Sequence, residues 1–179
     1  MTDAAKADCI SWDDYFMAIG FLSAQRSKDP VTQVGACIVR NNVVVGTGYN
    51  GMPNGDDSLP WSRPSKNDFV CHAEMNAITN TYLLDFKDCV IYVTLFPCNE
   101  CAKLIIKSGI KKIVYNSDLK NGKRKNQESK MMLKSAGVEC RQYSPSIRNI
   151  NIFSKIDVDG SEKLSEPSPK KVKKSESDE

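Results

Sequence analysis

A single histidine limits what this chain can become. His72 is the only imidazole in 179 residues, and it stands in the block Cys71-His72-Ala73-Glu74. Further along comes Pro97-Cys98-Asn99-Glu100-Cys101, two thiols separated by two residues. One imidazole and two thiolates make three ligands for a tetrahedral zinc. A structural zinc usually takes four protein ligands, whereas a catalytic zinc leaves its fourth position to water. If His72, Cys98 and Cys101 share one ion, the fold must bring two distant helix starts together. Glu74, two residues past the histidine, has the chemistry of a general acid/base beside such a water. Two other readings stay open at this level. One is a core histidine with an independent redox or structural thiol pair; the other makes Glu74 a fourth metal ligand. Cys71 adjoins His72, and neighbouring side chains rarely converge on one ion, so it reads as structural. Glu100, between the cysteines, reads as a surface helix residue.

The chain is long enough for one domain with a proper core. A net charge of +3 is too small to argue for a polynucleotide partner. Seven cysteines, an odd number in no regular framework, suit metal ligation in a reducing compartment better than disulfides. Residues 1–10 are polar, so no secretory signal is expected, and nothing approaches the length of a membrane span. The expectation is a soluble cytoplasmic protein with no membrane partner.

Three stretches follow from composition: a flexible arm over 1–10, a domain over 11–158 and a disordered charged tail over 159–179. Ser11-x-x-Asp14 resembles a capping box, and Tyr15, Phe16, Ala18, Ile19, Gly20, Leu22 and Ser23 fall at helical spacing. That helix runs to about Ser27 and is ended by Asp29-Pro30. Gln33 to Arg40 and Val43 to Tyr49, joined by Asn41-Asn42, predict an antiparallel hairpin. The segment from Gly48 to about Phe69 reads as a long loop, with special backbone angles over Gly48–Gly55. His72 opens a second helix, and Cys89 to Leu95 is apolar enough for a strand buried on both faces. Pro97 and Cys98 open a third helix that stops at Gly109. Lys112 to Asn116 predicts a fourth strand, Asn126 to Ala136 a fourth helix ended by Gly137, and Val138 to Tyr143 a fifth strand. Ser146 to Val158 is ambiguous. This alternation predicts an α/β fold with a sheet covered on both faces. The last twenty residues are mostly Ser, Glu, Lys and Pro, too polar to fold alone. Within them Pro169-Lys170-Lys171-Val172-Lys173-Lys174 resembles a nuclear-localisation cluster; its plainer reading is a solvated tail.

H-x-E followed by P-C-x-x-C is the pattern of the zinc-dependent nucleobase deaminases. Both halves begin helices, whose positive ends favour thiolates. Zinc makes hydroxide available near neutral pH. Such a nucleophile attacks a ring carbon that bears an amino group. Glu74 would take the water's proton, pass it to the ring nitrogen and protonate the departing ammonia.

Longer blocks carry a closer resemblance: Phe21 to Pro30 (FLSAQRSKDP), Gln33 to Val39 (QVGACIV), Gly48 to Gly55 (GYNGMPNG), Cys71 to Glu74, and Leu95 to Ile106 (LFPCNECAKLII). Over about residues 11 to 157 the chain resembles the deoxycytidylate deaminases, especially the animal form, within the zinc-dependent cytidine/deoxycytidylate deaminase family. The resemblance implies a three-layer αβα cytidine-deaminase-like fold with a mixed sheet of about five strands. It implies zinc-dependent deamination of dCMP to dUMP and ammonia, which feeds thymidylate synthesis. It further implies a homo-hexamer activated by dCTP and inhibited by dTTP, with Mg2+ accompanying the triphosphate. Carried over, His72, Cys98 and Cys101 bind zinc and Glu74 is the proton carrier. Asn50 is the candidate for a sugar hydroxyl, and Ser23, Arg26, Ser27 and Lys28 are candidates for the 5′-phosphate. Allosteric residues are not assigned. Two departures stand out: a shorter insert between Gly55 and Cys71, and a basic run (Lys120, Lys123, Arg124, Lys125, Lys130) where the vertebrate form is more acidic. A flexible surface loop is the plainer reading of that run. A polynucleotide-editing enzyme would need a basic track interleaved with aromatics, which the run lacks. A non-catalytic zinc module would have no use for Glu74.

Overall fold

The computed structural model describes residues 9–56, 58–62, 66–119, 121–147 and 150. Contacts divide the chain into one unit over Met1–Arg148 and a second over Asn149–Glu179. Every element below lies in the first. Most of the expected N-terminal arm, nearly all of the ambiguous segment after Ile147, the charged tail and its Lys170–Lys174 cluster lie outside the described residues.

The elements run α1 (Trp12–Ala24), β1 (Gly35–Arg40), β2 (Val43–Tyr49), a 3-10 turn (Pro53–Gly55), α2 (Lys66–Phe69), α3 (Ala73–Thr79), β3 (Val90–Leu95), α4 (Asn99–Ser108), β4 (Lys112–Ser117), α5 (Arg124–Ser135) and β5 (Glu139–Gln142). The short helix α2 falls where only loop was expected. The five strands form one mixed sheet in the order β2-β1-β3-β4-β5. β1 pairs antiparallel with β2 and β3, while β3–β4 and β4–β5 are parallel. The hairpin turns on Asn41 and Asn42, both at positive φ (51° and 59°), the pair of left-handed residues that a tight two-residue hairpin demands.

Alternation along the strands sorts side chains to two faces. Cys37, Val39, Tyr92 and Val114 point to one side and pack on Phe16 and Met17 of α1. Ala36, Ile38, Ile91, Val93 and Ile113 point to the other and pack with Ala77 of α3, Ile105 of α4 and Leu133 of α5. The result is three layers, with α1, of the described helices, on one face and α3, α4 and α5 on the other. In α1 the buried stripe is Phe16, Met17, Gly20 and Ala24; Tyr15 and Leu22, read as part of the periodic pattern, are exposed. The helix also ends earlier than expected, because Arg26 and Ser27 close short turns onto Ser23 and Ala24 carbonyls.

Ser11 caps α1 by accepting the Asp14 N–H at 3.1 Å, but the reciprocal half of a capping box is absent. The Asp14 carboxylate instead accepts the hydroxyls of Ser11, Tyr143 and Ser146. Burial alone would raise its pKa, yet these hydrogen bonds prevail and hold it down at about 2. They also tie the residues after β5 to the start of α1. No helix among the described residues is long and apolar enough to cross a membrane.

Candidate active site

Two helix starts on the same face of the sheet build the site. α3 begins at Ala73 with His72 as its N-cap, and α4 begins at Asn99 with Cys98 as its N-cap. Neither makes the side-chain cap bond of an ordinary N-cap residue, and the two side chains meet each other at 3.3 Å. α3 sits close against β2 because Gly48 has no side chain. A Cβ there would lie 2.3 Å from the Ala73 carbonyl oxygen and the Ala77 nitrogen. The segment before α3 is secured by reciprocal Gly51–Cys71 backbone hydrogen bonds of 2.9 and 3.0 Å. Asn76 adds a side-chain bond to the Tyr49 carbonyl at 2.7 Å. α4 follows the buried strand β3 and ends at Gly109 with φ 89°, as expected of a glycine stop.

His72, Cys98 and Cys101 therefore meet. Their ligand atoms all lie within 4.8 Å of one another. His72 Nδ1 stands 3.3 Å from each sulfur. A tetrahedral zinc holds nitrogen and sulfur ligands about 3.6 Å apart, given Zn–S near 2.3 Å and Zn–N near 2.1 Å. The three donors fit such an ion in identity, number and spacing. His72 is exposed, which removes the reading of it as a core histidine. Cys71 is only half-buried and lies outside the ligand group, in keeping with a structural role.

The sulfurs already behave as a site that prefers a cation. The hydrogen bond from Cys101 holds the Cys98 thiol down at about 3, with help from His72 and against the effect of burial. That same bond, and burial, push Cys101 up. Binding of a metal would displace the proton of the Cys101 thiol. Glu74 is 4% exposed, and burial raises its pKa even though His72 pulls the other way. A carboxyl raised by burial holds its proton more readily than a solvated one.

These groups open into a cleft of about 660 Å³, whose wall includes Asn50, His72, Glu74, Cys98 and Cys101. Asn50 is buried and heavily committed. Its Oδ1 accepts the Val34 N–H at 2.7 Å, and its Nδ2 donates to Asp29 Oδ2 and the Thr32 carbonyl. Of its hydrogen-bonding capacity, one carbonyl lone pair remains for a ligand. Ser23, Arg26, Ser27 and Lys28 do not form part of the cleft wall. Ser27 is buried behind it and donates its hydroxyl to the Asn50 carbonyl at 2.7 Å. Arg26 and Lys28 are exposed at the end of α1, and Ser23 is half-buried. The structure thus brings Asn50 to the metal group and leaves the four expected phosphate contacts outside the cleft, Ser27 reaching it only through Asn50.

Other wall residues were missed in the sequence. Asp29 was seen only as part of a helix stop; buried, it orients Asn50 from within the cleft. Asn99 lines the cleft with a buried Oδ1 that has no hydrogen-bond partner. Phe96 also lines it, held edge-on by Tyr115 at 4.8 Å with Lys130 Nζ 5.3 Å from its ring centre. Lys123, Arg124 and Lys125 form a further part of the wall. Their basic run was visible, but a loop reading placed it on an anonymous surface. Glu100 touches the wall yet is paired with Lys103 at 2.8 Å and largely exposed, as a surface helix residue should be.

Comparison with known proteins agrees with this geometry. Residues 10–117 match the family model described as the cytidine and deoxycytidylate deaminase zinc-binding region. The chain is 50% identical over 174 residues to deoxycytidylate deaminase of Mus musculus, covering 92% of this chain and 94% of that protein. It is 47% identical to a probable deoxycytidylate deaminase of Drosophila melanogaster, covering 82% of this chain and 79% of that protein. Among solved structures, the dCMP deaminase of cyanophage S-TIM5 in complex with dCMP and dUMP superposes with a TM-score of 0.63 at 28% identity, over 72% of this chain and 94% of that one. A buried carboxyl beside a His-Cys-Cys ligand group, on an α/β scaffold shared with these proteins, places the chain in the cytidine and deoxycytidylate deaminase family.

Proposed function

We propose that this protein hydrolyses dCMP to dUMP and ammonia. The observation that carries the reading is the buried Glu74 carboxyl sharing one cleft with His72, Cys98 and Cys101. The names of its animal relatives and the dCMP and dUMP bound to the cyanophage enzyme support the substrate. His72, Cys98 and Cys101 would hold zinc, which supplies an activated water at neutral pH. Glu74 accepts a proton from that water and delivers it to the ring nitrogen next to the amino-bearing carbon. It then takes the proton of the new hydroxyl on that carbon and gives it to the leaving amino group, so that the oxygen becomes the carbonyl of dUMP, the C–N bond breaks and ammonia departs with both protons of water accounted for. Its raised pKa suits a group that must both take and give. Asn50, positioned by Asp29 and Ser27, offers its remaining acceptor capacity to a sugar hydroxyl. The buried, unpartnered Oδ1 of Asn99 is an acceptor that an amino group in the cleft would satisfy.

The finer reading is a homo-hexamer activated by dCTP and inhibited by dTTP, with Mg2+ accompanying the triphosphate. It supplies dUMP for thymidylate synthesis in the cytoplasm, and the Lys170–Lys174 cluster provides for nuclear entry. Ammonia release from dCMP, CMP, dCTP and deoxycytidine, each with and without dCTP and Mg2+, tests the whole proposal. Turnover of dCMP, increased by dCTP, is expected. Turnover confined to the nucleoside or the triphosphate would keep the chemistry and overturn the substrate.

A further inference from the structure

We infer that Lys123, Arg124 and Lys125 form a cationic edge of the cleft that holds the 5′-phosphate of the substrate. The inference rests on the proposed deamination of a nucleoside monophosphate and assigns the part of the site that recognises its charged end.

Three observations lead there. First, these three consecutive residues line the same cleft as His72, Cys98 and Cys101, and they are the only lysine and arginine residues on its described wall. The wall's acids lie elsewhere: Asp29 and Glu74 are buried, and Glu100 is paired with Lys103. The cleft is therefore polarised, with its cations gathered at one edge. Second, those cations are not spent on other contacts. Among the described residues, no carboxylate lies within ion-pair distance of Lys123 or Lys125. Arg124 has only an exposed pair with Glu128 at 3.4 Å, within the same helix. A pair of that kind contributes little and yields readily to a better anion. Lys130, by contrast, is taken up by Asp118 at 2.5 Å and Asn121 at 3.0 Å. Third, the backbone under the trio is anchored to the metal half-site. Asn126 is buried, bonds Asp118 through its side chain and donates its N–H to the Lys123 carbonyl at 2.9 Å. One turn on, the buried hydroxyl of Ser129 donates to the Pro97 carbonyl at 2.8 Å, directly before Cys98. The basic edge and the zinc cysteines are thus held in one frame.

A phosphomonoester dianion is the ligand that such an edge selects. Lys123, Arg124 and Lys125 are exposed, and several cations on a short arc together stabilise a compact double charge. A polynucleotide fits less well. Among the described residues the one aromatic ring of Phe, Tyr or Trp on the wall, Phe96, is buried and packed against Tyr115, so it offers no platform for successive bases.

The test compares the zinc-loaded full chain with a Lys123→Gln/Arg124→Gln/Lys125→Gln variant, on dCMP and on deoxycytidine. The expected result is a fall of about tenfold or more in the preference for dCMP, expressed as the ratio of kcat/KM for the two substrates and carried by KM. Inorganic phosphate should inhibit the parent competitively against dCMP and the variant much less. The charge-conserving variant Lys123→Arg/Arg124→Lys/Lys125→Arg should keep the preference within about threefold, which separates charge from a local structural effect. Zinc content, measured on every variant, shows that the metal half-site is intact. An unchanged preference in an active, zinc-loaded glutamine variant would overturn the inference. So would a variant that keeps its KM for dCMP but loses only its response to dCTP with Mg2+, or only its binding of an oligodeoxycytidylate. Failure of the underlying function shows differently: the parent itself would release no ammonia from dCMP or deoxycytidine, and the inference would fall with it.

Discussion

The two faces of the sheet are made by the same strands and serve different ends. On the α1 face large contacts of Phe16 and Met17 with Tyr92, Val39 and Val114 flank a close approach of Gly20 and Ala24 to Gly35. On the opposite face small residues recur where helices approach, with Ala36, Ala73, Ala77 and Ala102 all buried and Gly48 directly beneath α3. Large residues supply burial; small ones permit a close and invariant approach of backbone to backbone. The group proposed as catalytic stands on the face that carries α3 and α4. Three donor atoms must meet within a few tenths of an ångström, and a helix lifted by one methyl group would miss. α1 also lies close to the sheet, since a Cβ on Gly35 would fall 1.9 Å from the Gly20 carbonyl oxygen, but that approach positions none of the three donor atoms, and the α1 face contributes to the cleft only through the chain that follows the helix.

That contrast can be broken or sharpened by substitution. The largest effect is expected at the chemistry itself. Glu74→Gln should lower ammonia release from dCMP by about 10²–10⁴-fold while zinc content stays at the parent's level; equal rates would end its role as proton carrier. Next comes the α1 face. Phe16→Ala should cost about 3–5 kcal/mol of stability in urea denaturation. Where the variant is still folded, its zinc affinity should match the parent's, and a loss of zinc there would mean that the faces are not separate in function. On the other face Gly48→Ala should cost about 1–3 kcal/mol, because the new Cβ meets backbone rather than a movable side chain. Here a modest loss of stability should bring a loss of zinc affinity out of proportion to it, read by competition with a chromogenic chelator.

The smallest effect expected is in acid, at the tie between α1 and the residues after β5. The Asp14 carboxyl is held down at about 2 in the folded protein, against about 3.9 in an unfolded chain. A depressed folded value contributes stability that is fully present above the unfolded pKa. It is lost as the pH falls from about 4 through about 2. Asp14→Asn should lower stability at neutral pH and flatten the urea midpoint across that window. An unaltered acid slope would show that other carboxylates dominate it.

How much of this could be read beforehand depended on whether the physics was local. The helix starts at His72 and Cys98, the stops at Gly109 and Gly137, and the Asn41-Asn42 turn are decided by a few neighbouring residues, and all were legible. The strand Cys89 to Leu95 was legible because an unbroken apolar run has few other uses. The stripe of α1 was read only in part. Its periodicity admitted two overlapping series, and burial by β1 and β3 chose between them. Asp14 was read as a cap and is also the hub of contacts with Tyr143 and Ser146, over a hundred residues away, which no local pattern announces. The block from Ser23 to Lys28 looked suited to phosphate by its residue types. In the fold Ser27 faces inward to Asn50, while Arg26 and Lys28 sit outside the cleft wall. The basic run before α5 shows the reverse: charge alone could not distinguish a solvated loop from the wall of a cleft.

Residue chemistry and spacing by themselves pointed to His72, Cys98 and Cys101 as one donor set, to Glu74 as the carboxyl proposed to carry protons beside it, and to the helix–strand alternation that demands a sheet covered on both faces. Those are properties of side chains a few positions apart, and any fold that satisfies them must bring His72 to Cys98 and Cys101. The tertiary structure alone decided what surrounds that group. It seated Asp29 behind Asn50, left an Asn99 acceptor open and moved the basic edge from an indifferent surface to the cleft. These outcomes depend on which elements the β2-β1-β3-β4-β5 order sets side by side. Contacts across such distances are chosen by the burial of whole faces, a property that no short stretch of sequence carries.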